Sequence, residues 1–382
     1  MSSAHVAERP DTSMGRALAG RVLNHIGPSG TTPASPALDL TTAAPAATPT
    51  HIGQAAKAAL EQGETHYTDA SGIPQLRAAV ARQLDNLGFT IASENIGVSN
   101  GGTEAVYIAL QVALKPGDRA AVIEPMSRHM VDMITFIGAE PVRVKVAPEK
   151  GFLPDPAAIE ALDARALLIA SPSPVSGRRI PNGHLEEIVA AARARDISVI
   201  LDLSYADGIY TPEPVRLSDP QLAEEIVLTG SFSTAHGLAG WRVGYFSSPS
   251  ADRALLQGLK TAMSICTTAV SQFAAVAALG EPAEWFAERR ARFAANRDSV
   301  TAMLAEAGIG YVTPDAFPPL LIDMSPFGGG DAVALRLRER GVIVDAGSSF
   351  GESTRDYIRI NLGAPEEALA DGVRRIVELG GD

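Results

Sequence analysis

Between residues 96 and 233, short apolar runs alternate with helical patterns, and this alternation constrains the fold more than any other feature of the chain. IGVSN (96–100), RAAVIEP (119–125), PVRVKV (141–146), ALLIASP (166–172), ISVILDLSY (197–205) and EIVLTGSFS (225–233) read as strands. GGTEAVYIALQVAL (101–114), VDMITFIGA (131–139) and LEEIVAAARARD (185–196) carry apolar residues at helical spacing. Short apolar strands joined by helices form a mostly parallel sheet covered on both faces. Such sheets bind ligands outside the carboxyl ends of their strands. The stretches to inspect are therefore 100–104, 124–130, 171–177, 202–205 and 231–242.

The flanking segments suggest the remaining organisation. Residues 1–44 are rich in Ser, Thr, Pro and Gly and read as an extended or poorly ordered arm belonging to a smaller domain. Residues 45–285 would form the large α/β domain, entered through helical patterns at 52–63 and 73–88. Residues 251–305 read almost wholly helical. Residues 286–382 would form the smaller α+β domain, with strands in LLIDMS, VIVDAG and YIRINLG and helices in DAVALRLRERG and EEALADGVRRIVEL.

Composition excludes several functions. A net charge of −12 and a pI near 5.1 argue against nucleic-acid binding, which needs a basic face. No apolar run reaches the roughly 18 residues of a membrane span. The first twenty residues hold no apolar signal core, so a cytoplasmic location is expected. The single cysteine, Cys266, excludes an internal disulfide, and the seven histidines form no paired metal motif.

In order, the inspected stretches resemble the class I/II aminotransferases, fold-type I enzymes that use pyridoxal 5′-phosphate (PLP). The resemblance covers roughly residues 38–375 and implies a three-layer large domain with a smaller α+β domain. HYTDASGIPQLR (66–77) resembles a family segment whose tyrosine, Tyr67 here, reaches the cofactor phosphate of the neighbouring subunit; a homodimer is thereby implied. NGGTEA (100–105) resembles the phosphate loop, with Gly101, Gly102 and Thr103 as candidates. Freed backbone amides at a helix N-terminus do favour an anion, although a tight strand–helix turn reads the same way. DLSY (202–205) matches the family's D-x-x-Y. Asp202 would pair with the ring nitrogen, keeping it protonated, and Tyr205 with the ring hydroxyl. Read alone, Asp202 would equally serve as a cap. GLAGWRVGY (237–245) is the most family-specific run; Arg242 and Ser231 would bind the phosphate. YIRINLG (357–363) resembles the segment whose arginine, Arg359, grips a substrate α-carboxylate.

The pattern breaks where the chemistry would occur. Thr234 of SFSTAHGLAGWR stands where the family has the lysine that forms the Schiff base and moves the proton. A hydroxyl forms no imine. Its bland role is to fill the lysine's space; its sharper role would be to donate a hydrogen bond to a ligand there. Lys260 reads as a surface helix residue. Ser127 of EPMSRHM replaces the aromatic residue that stacks on the ring, with His129 nearby to fill the gap. Pro174 of SPSPVSG replaces the asparagine that bonds the ring hydroxyl, with Ser173 beside it. Ala43 replaces a family glycine, and PDAFPPLLID (314–323) replaces an aromatic-rich stretch. General acid–base candidates are then Tyr205, His129 and His236.

Three readings follow. The first is a biosynthetic enzyme acting on an amino-acid-like carboxylate, with PLP or pyridoxamine phosphate (PMP) held non-covalently or with no cofactor, through a cyclisation, dehydration or condensation. The second is a non-catalytic sensor or silent partner of an active paralogue. The third is an ordinary PLP-dependent transaminase served by a lysine from elsewhere. No metal is expected.

Overall fold

The computed structural model describes residues 38–42, 48–211, 213–247, 249, 252–280 and 283–379. Ala43 and all but 38–42 of the expected arm lie outside them. In chain order the strands are β1 (Leu38–Asp39), β2 (Ile96–Ser99), β3 (Arg119–Ile123), β4 (Glu140–Val144), β5 (Ala166–Ala170), β6 (Ser198–Asp202) and β7 (Val227–Ser231). They continue as β8 (Gly244–Ser247), β9 (Tyr311–Val312), β10 (Pro319–Asp323), β11 (Val342–Ile343), β12 (Asp345–Ala346) and β13 (Tyr357–Asn361).

Seven strands form the main sheet in the order β2-β8-β7-β6-β5-β3-β4. The pairs among β3 to β7 are parallel, and β8 runs antiparallel to both β2 and β7. The fold is thus α/β, with a mostly parallel mixed sheet between helices. Strands β5 and β6 carry Leu167, Leu168, Ile169, Ile200 and Leu201 in full burial. Each such side chain contributes about 1.5–3 kcal/mol over an exposed one. This explains why these runs are apolar throughout rather than alternating.

The antiparallel β8 was not expected from the sequence, because VGYF sits inside a motif read for its chemistry. It returns directly beside β7 and packs against the turn that opens the helix Gly102–Ala113. A side-chain carbon on Gly244 would lie 2.6 Å from the Gly101 carbonyl carbon and 2.7 Å from the Gly102 amide nitrogen. Glycine is required there for close approach rather than for a turn.

A second sheet, β12-β13-β10-β9, is antiparallel. Its core joins Leu320, Ile322, Ile358 and Ile360 to Val373 and Ile376 of the helix Glu366–Glu378. Strand β1 pairs in parallel with β11, tying residues 38–39 to this second unit. The helix Ala283–Glu306 is continuous across the boundary expected at 285/286. Among the described residues no helix is long and apolar enough to cross a membrane.

Candidate active site

A pocket of about 150 Å³ opens at the carboxyl ends of β6 and β7. It brings together Gly102, Thr103, Asp202, Tyr205, Ser231, Thr234 and Arg242, which are distant in sequence. Ser127, His129 and Pro174 also line it. Ser204, Ser233 and Met130 complete the wall; none was singled out beforehand.

One end is built around the turn after β2. Gly101 has φ +85°, the left-handed region that favours glycine, and it precedes the helix Gly102–Ala113. A side-chain carbon on Gly101 would lie 2.5 Å from Arg242 Nη2, and one on Gly102 would lie 3.0 Å from both Ser231 Cβ and Ser204 Oγ. The helix N-terminus therefore meets Arg242 and Ser231 at van der Waals distance. Arg242 donates from Nη1 to the Ala239 carbonyl (3.1 Å) and from Nη2 to the Asn100 carbonyl (3.5 Å). Ser231 Oγ bonds Ser233 Oγ at 2.8 Å. Positive partial charge, a guanidinium and hydroxyls converge on one place, which suits an anion.

Behind this turn lies a buried ion pair. Lys260 is 0% exposed, and its Nζ lies 3.1 Å from Glu104 Oε2 and 2.5 Å from Ser264 Oγ. The Asn100 amide donates to the same Glu104 oxygen at 2.6 Å. Burial works to raise the Glu104 pKa, but the bonds from Asn100 and Ser264 and the Lys260 charge hold it below the ordinary value. The surface position expected for Lys260 is thus corrected. The α-helical periodicity could not show that its face packs on Glu104.

Asp202 forms the floor, at the end of β6 and 4% exposed. Its Oδ1 accepts from Ser204 Oγ (2.6 Å), the Ser204 amide (3.1 Å) and Thr229 Oγ1 (3.3 Å). Burial nevertheless pushes its pKa up, against those hydrogen bonds. No described residue pairs it with a cation. Ser204, two residues after the aspartate, is legible in retrospect as a local side-chain turn.

At the other end the side chains are small or neutral. Thr234 faces Tyr205, whose phenol is pushed up by burial and pulled back by Arg359 and Thr234. The Thr234 carbonyl accepts from Arg289 Nη2 at 2.7 Å, so the helix Ala283–Glu306 holds this loop. Burial lowers the Arg289 pKa to about 10, with Arg292 adding to the effect. His129 is pushed down by burial, with Asp132 opposing and Arg359 adding to it. The chain has five lysines, Lys57, Lys115, Lys145, Lys150 and Lys260, and none lines the pocket.

Arg359 sits beside the pocket, donating from Nη1 to the Pro174 carbonyl at 3.1 Å. Its Nε and Nη2 both donate to Asp345 Oδ2, at 3.0 and 2.7 Å. The guanidinium expected to grip a substrate carboxylate is already paired. Asp345 lies directly across from it on β12, a register that residue spacing alone could not reveal.

One further expectation is redirected, that for His236. His236 is 2% exposed, but it points into a separate cleft, where its Nε2 lies 3.1 Å from Asp207 Oδ2. It does not line the pocket with Thr234. Tyr67, expected at the neighbouring subunit's site, is 82% exposed and does not line its own chain's pocket.

The family profile for aminotransferase classes I and II matches residues 37–376. The chain belongs to that family. This aminotransferase-family chain is 34% identical over 337 residues to the arginine–pyruvate transaminase of Pseudomonas aeruginosa, covering 86% of each. It is 31% identical over 345 residues to the aspartate/prephenate aminotransferase of Thermus thermophilus, covering 87% of this chain and 88% of that one. Its fold superposes on the aspartate aminotransferase from Thermus thermophilus with maleate at TM-score 0.85 and 27% identity, covering 98% of this chain and 97% of that one. Membership brings with it the PLP-dependent transferase fold.

Proposed function

We propose that this aminotransferase-family protein is a biosynthetic enzyme that holds PLP or PMP non-covalently and acts on an amino-acid-like small molecule. The observation that carries this reading is a pocket with an anion-suited turn and a buried, cation-free aspartate, yet with no lysine on its wall. The residues fit the cofactor in two places. Gly101, Gly102, Thr103, Ser231 and Arg242 would hold its phosphate. Asp202 would hold its protonated ring nitrogen, which supplies the cation this carboxylate lacks.

When bound, the cofactor supplies an electron-withdrawing ring that stabilises negative charge on a substrate carbon. The protein's own part is to bind and to manage protons. The buried Asp202 would hold a proton on the ring nitrogen. The Tyr205 phenol, held neutral at ordinary pH, can donate a hydrogen bond from its hydroxyl into the pocket beside Thr234. His129, biased toward its neutral form, is the group suited to accept a proton at the pocket edge. Lys260 is unavailable for imine formation while it is paired with Glu104.

The exposed Tyr67 supports a homodimer in which this phenol completes the partner's anion site. A cytoplasmic setting accords with the single cysteine and acidic composition.

The test is titration with PLP and PMP followed by borohydride and intact mass measurement. Saturable binding with no mass gain in the wild type, and covalent gain in Thr234→Lys, is expected. Wild-type mass gain localised to Lys260 would overturn this reading in favour of an ordinary transaminase. Absence of any binding would turn it toward a silent partner.

A further inference from the structure

Arg359 is not the free fork that a carboxylate ligand needs. Two of its nitrogens share one oxygen of Asp345, at 2.7 and 3.0 Å, and the third bonds the Pro174 carbonyl. Its guanidinium also lies 4.4 Å from the centre of the Phe350 ring, which fixes its plane. Both partners are mostly buried, at 19% and 26% side-chain exposure, so water screens their attraction only partly. The pair is set by strand register, since Asp345 of β12 faces Arg359 of β13. Arg359 still borders the pocket, because Pro174 lines it and the charge is felt at Tyr205 and His129.

We propose that Asp345 determines which acyl group this pocket accepts, excluding a free carboxylate and admitting an uncharged carbonyl, a primary carboxamide above all. A ligand carboxylate at Arg359 would have to share the guanidinium with a carboxylate already in contact. Like charges at that separation disfavour each other, and such repulsion is a recognised route to specificity. An amide carbonyl accepts one guanidinium hydrogen without that repulsion. Its NH₂ can donate to Asp345, whose hydrogen bonds from Arg359 both fall on Oδ2. The substrate class is therefore an amino compound whose carboxyl group is masked as an amide. This rests on the cofactor-pocket reading proposed above.

The test uses two stable reduced adducts, N-phosphopyridoxyl-alanine and N-phosphopyridoxyl-alaninamide, which share the cofactor portion and differ only in the acyl end. Their dissociation constants are measured by calorimetry on the wild-type chain and on Asp345→Asn. The wild type should bind the amide at least as tightly as the acid. In Asp345→Asn the ratio should move toward the acid by about tenfold or more, as expected for relief of one close charge contact. A purely structural role for Asp345 would weaken both adducts alike and leave the ratio unmoved. A wild-type preference for the acid, or an unchanged ratio in the variant, overturns the proposal while leaving the cofactor reading intact. The wild-type ratio decides even if the variant fails to fold. If neither adduct binds the folded wild type, the cofactor reading falls and this inference falls with it.

Discussion

The two ends of the pocket are built differently. The glycine-turn end is made of backbone and short side chains locked by neighbours: Gly101 against Arg242, Gly102 against Ser231, Asn100 tied to Glu104. Each part is held by something other than the ligand. The Thr234 end is composed of groups that are neutral or already paired. Thr234 is held through its carbonyl, Pro174 offers no side-chain donor, and Arg359 is neutralised by Asp345. The contrast teaches that binding and chemistry are separable in this architecture. A turn suited to an anion is made mostly of backbone at a helix start and tolerates side-chain replacement nearby, whereas imine formation depends on a single lysine side chain.

If the glycine-turn end depends on its buried support, Lys260→Met should do the greatest damage. It strands Glu104 beside the turn and should cost about 3 kcal/mol of stability, read by urea unfolding. A variant as stable as wild type would mean that the turn holds itself.

Arg242→Met should act on binding rather than folding. Loss of one charge-assisted contact, about 2 kcal/mol, should weaken PMP about thirtyfold by absorbance titration. An unchanged affinity would erase the distinction between the two ends.

Asp202→Asn should give the smallest effect and one of mixed sign. The folded-state pKa of Asp202 is raised, so its contribution is fully present below the ordinary carboxylate value and is lost as pH rises through the raised one. The unliganded variant should therefore be more stable than wild type above that window and similar below it. Its PMP affinity should fall by about fivefold to tenfold, because a neutral amide replaces a charge-assisted partner. A stability difference independent of pH would show that burial does not shift this carboxyl.

Much of the fold was legible because both strand and helix periodicities are local. The runs from IGVSN to EIVLTGSFS became β2 to β7, and the three helices read between them fell within a few residues of their patterns, while the short helices Pro156–Glu160 and Pro220–Glu224 were not read. Where the local signal was overlaid by another, as in VGYF, or was only two residues long, as in β9, the strands were missed. The pocket lining was legible at Gly102, Thr103, Asp202, Ser231 and Arg242, whose motifs lie at strand ends that the topology brings together. His236 and Lys260 were misplaced because sequence position does not say which way a side chain turns. Both are buried against acids far away in the chain, Asp207 and Glu104.

The residue order by itself determined the alternation of strand and helix, the glycine turn at 101–102, and the threonine at position 234. These depend on neighbours within a turn or two of chain. Only the tertiary structure decided that Lys260 is tied down, that His236 faces another cleft, and that Asp345 holds Arg359. Those are matters of which charges meet across elements, and a charge's partner is set by strand register and helix packing rather than by its place in the sequence.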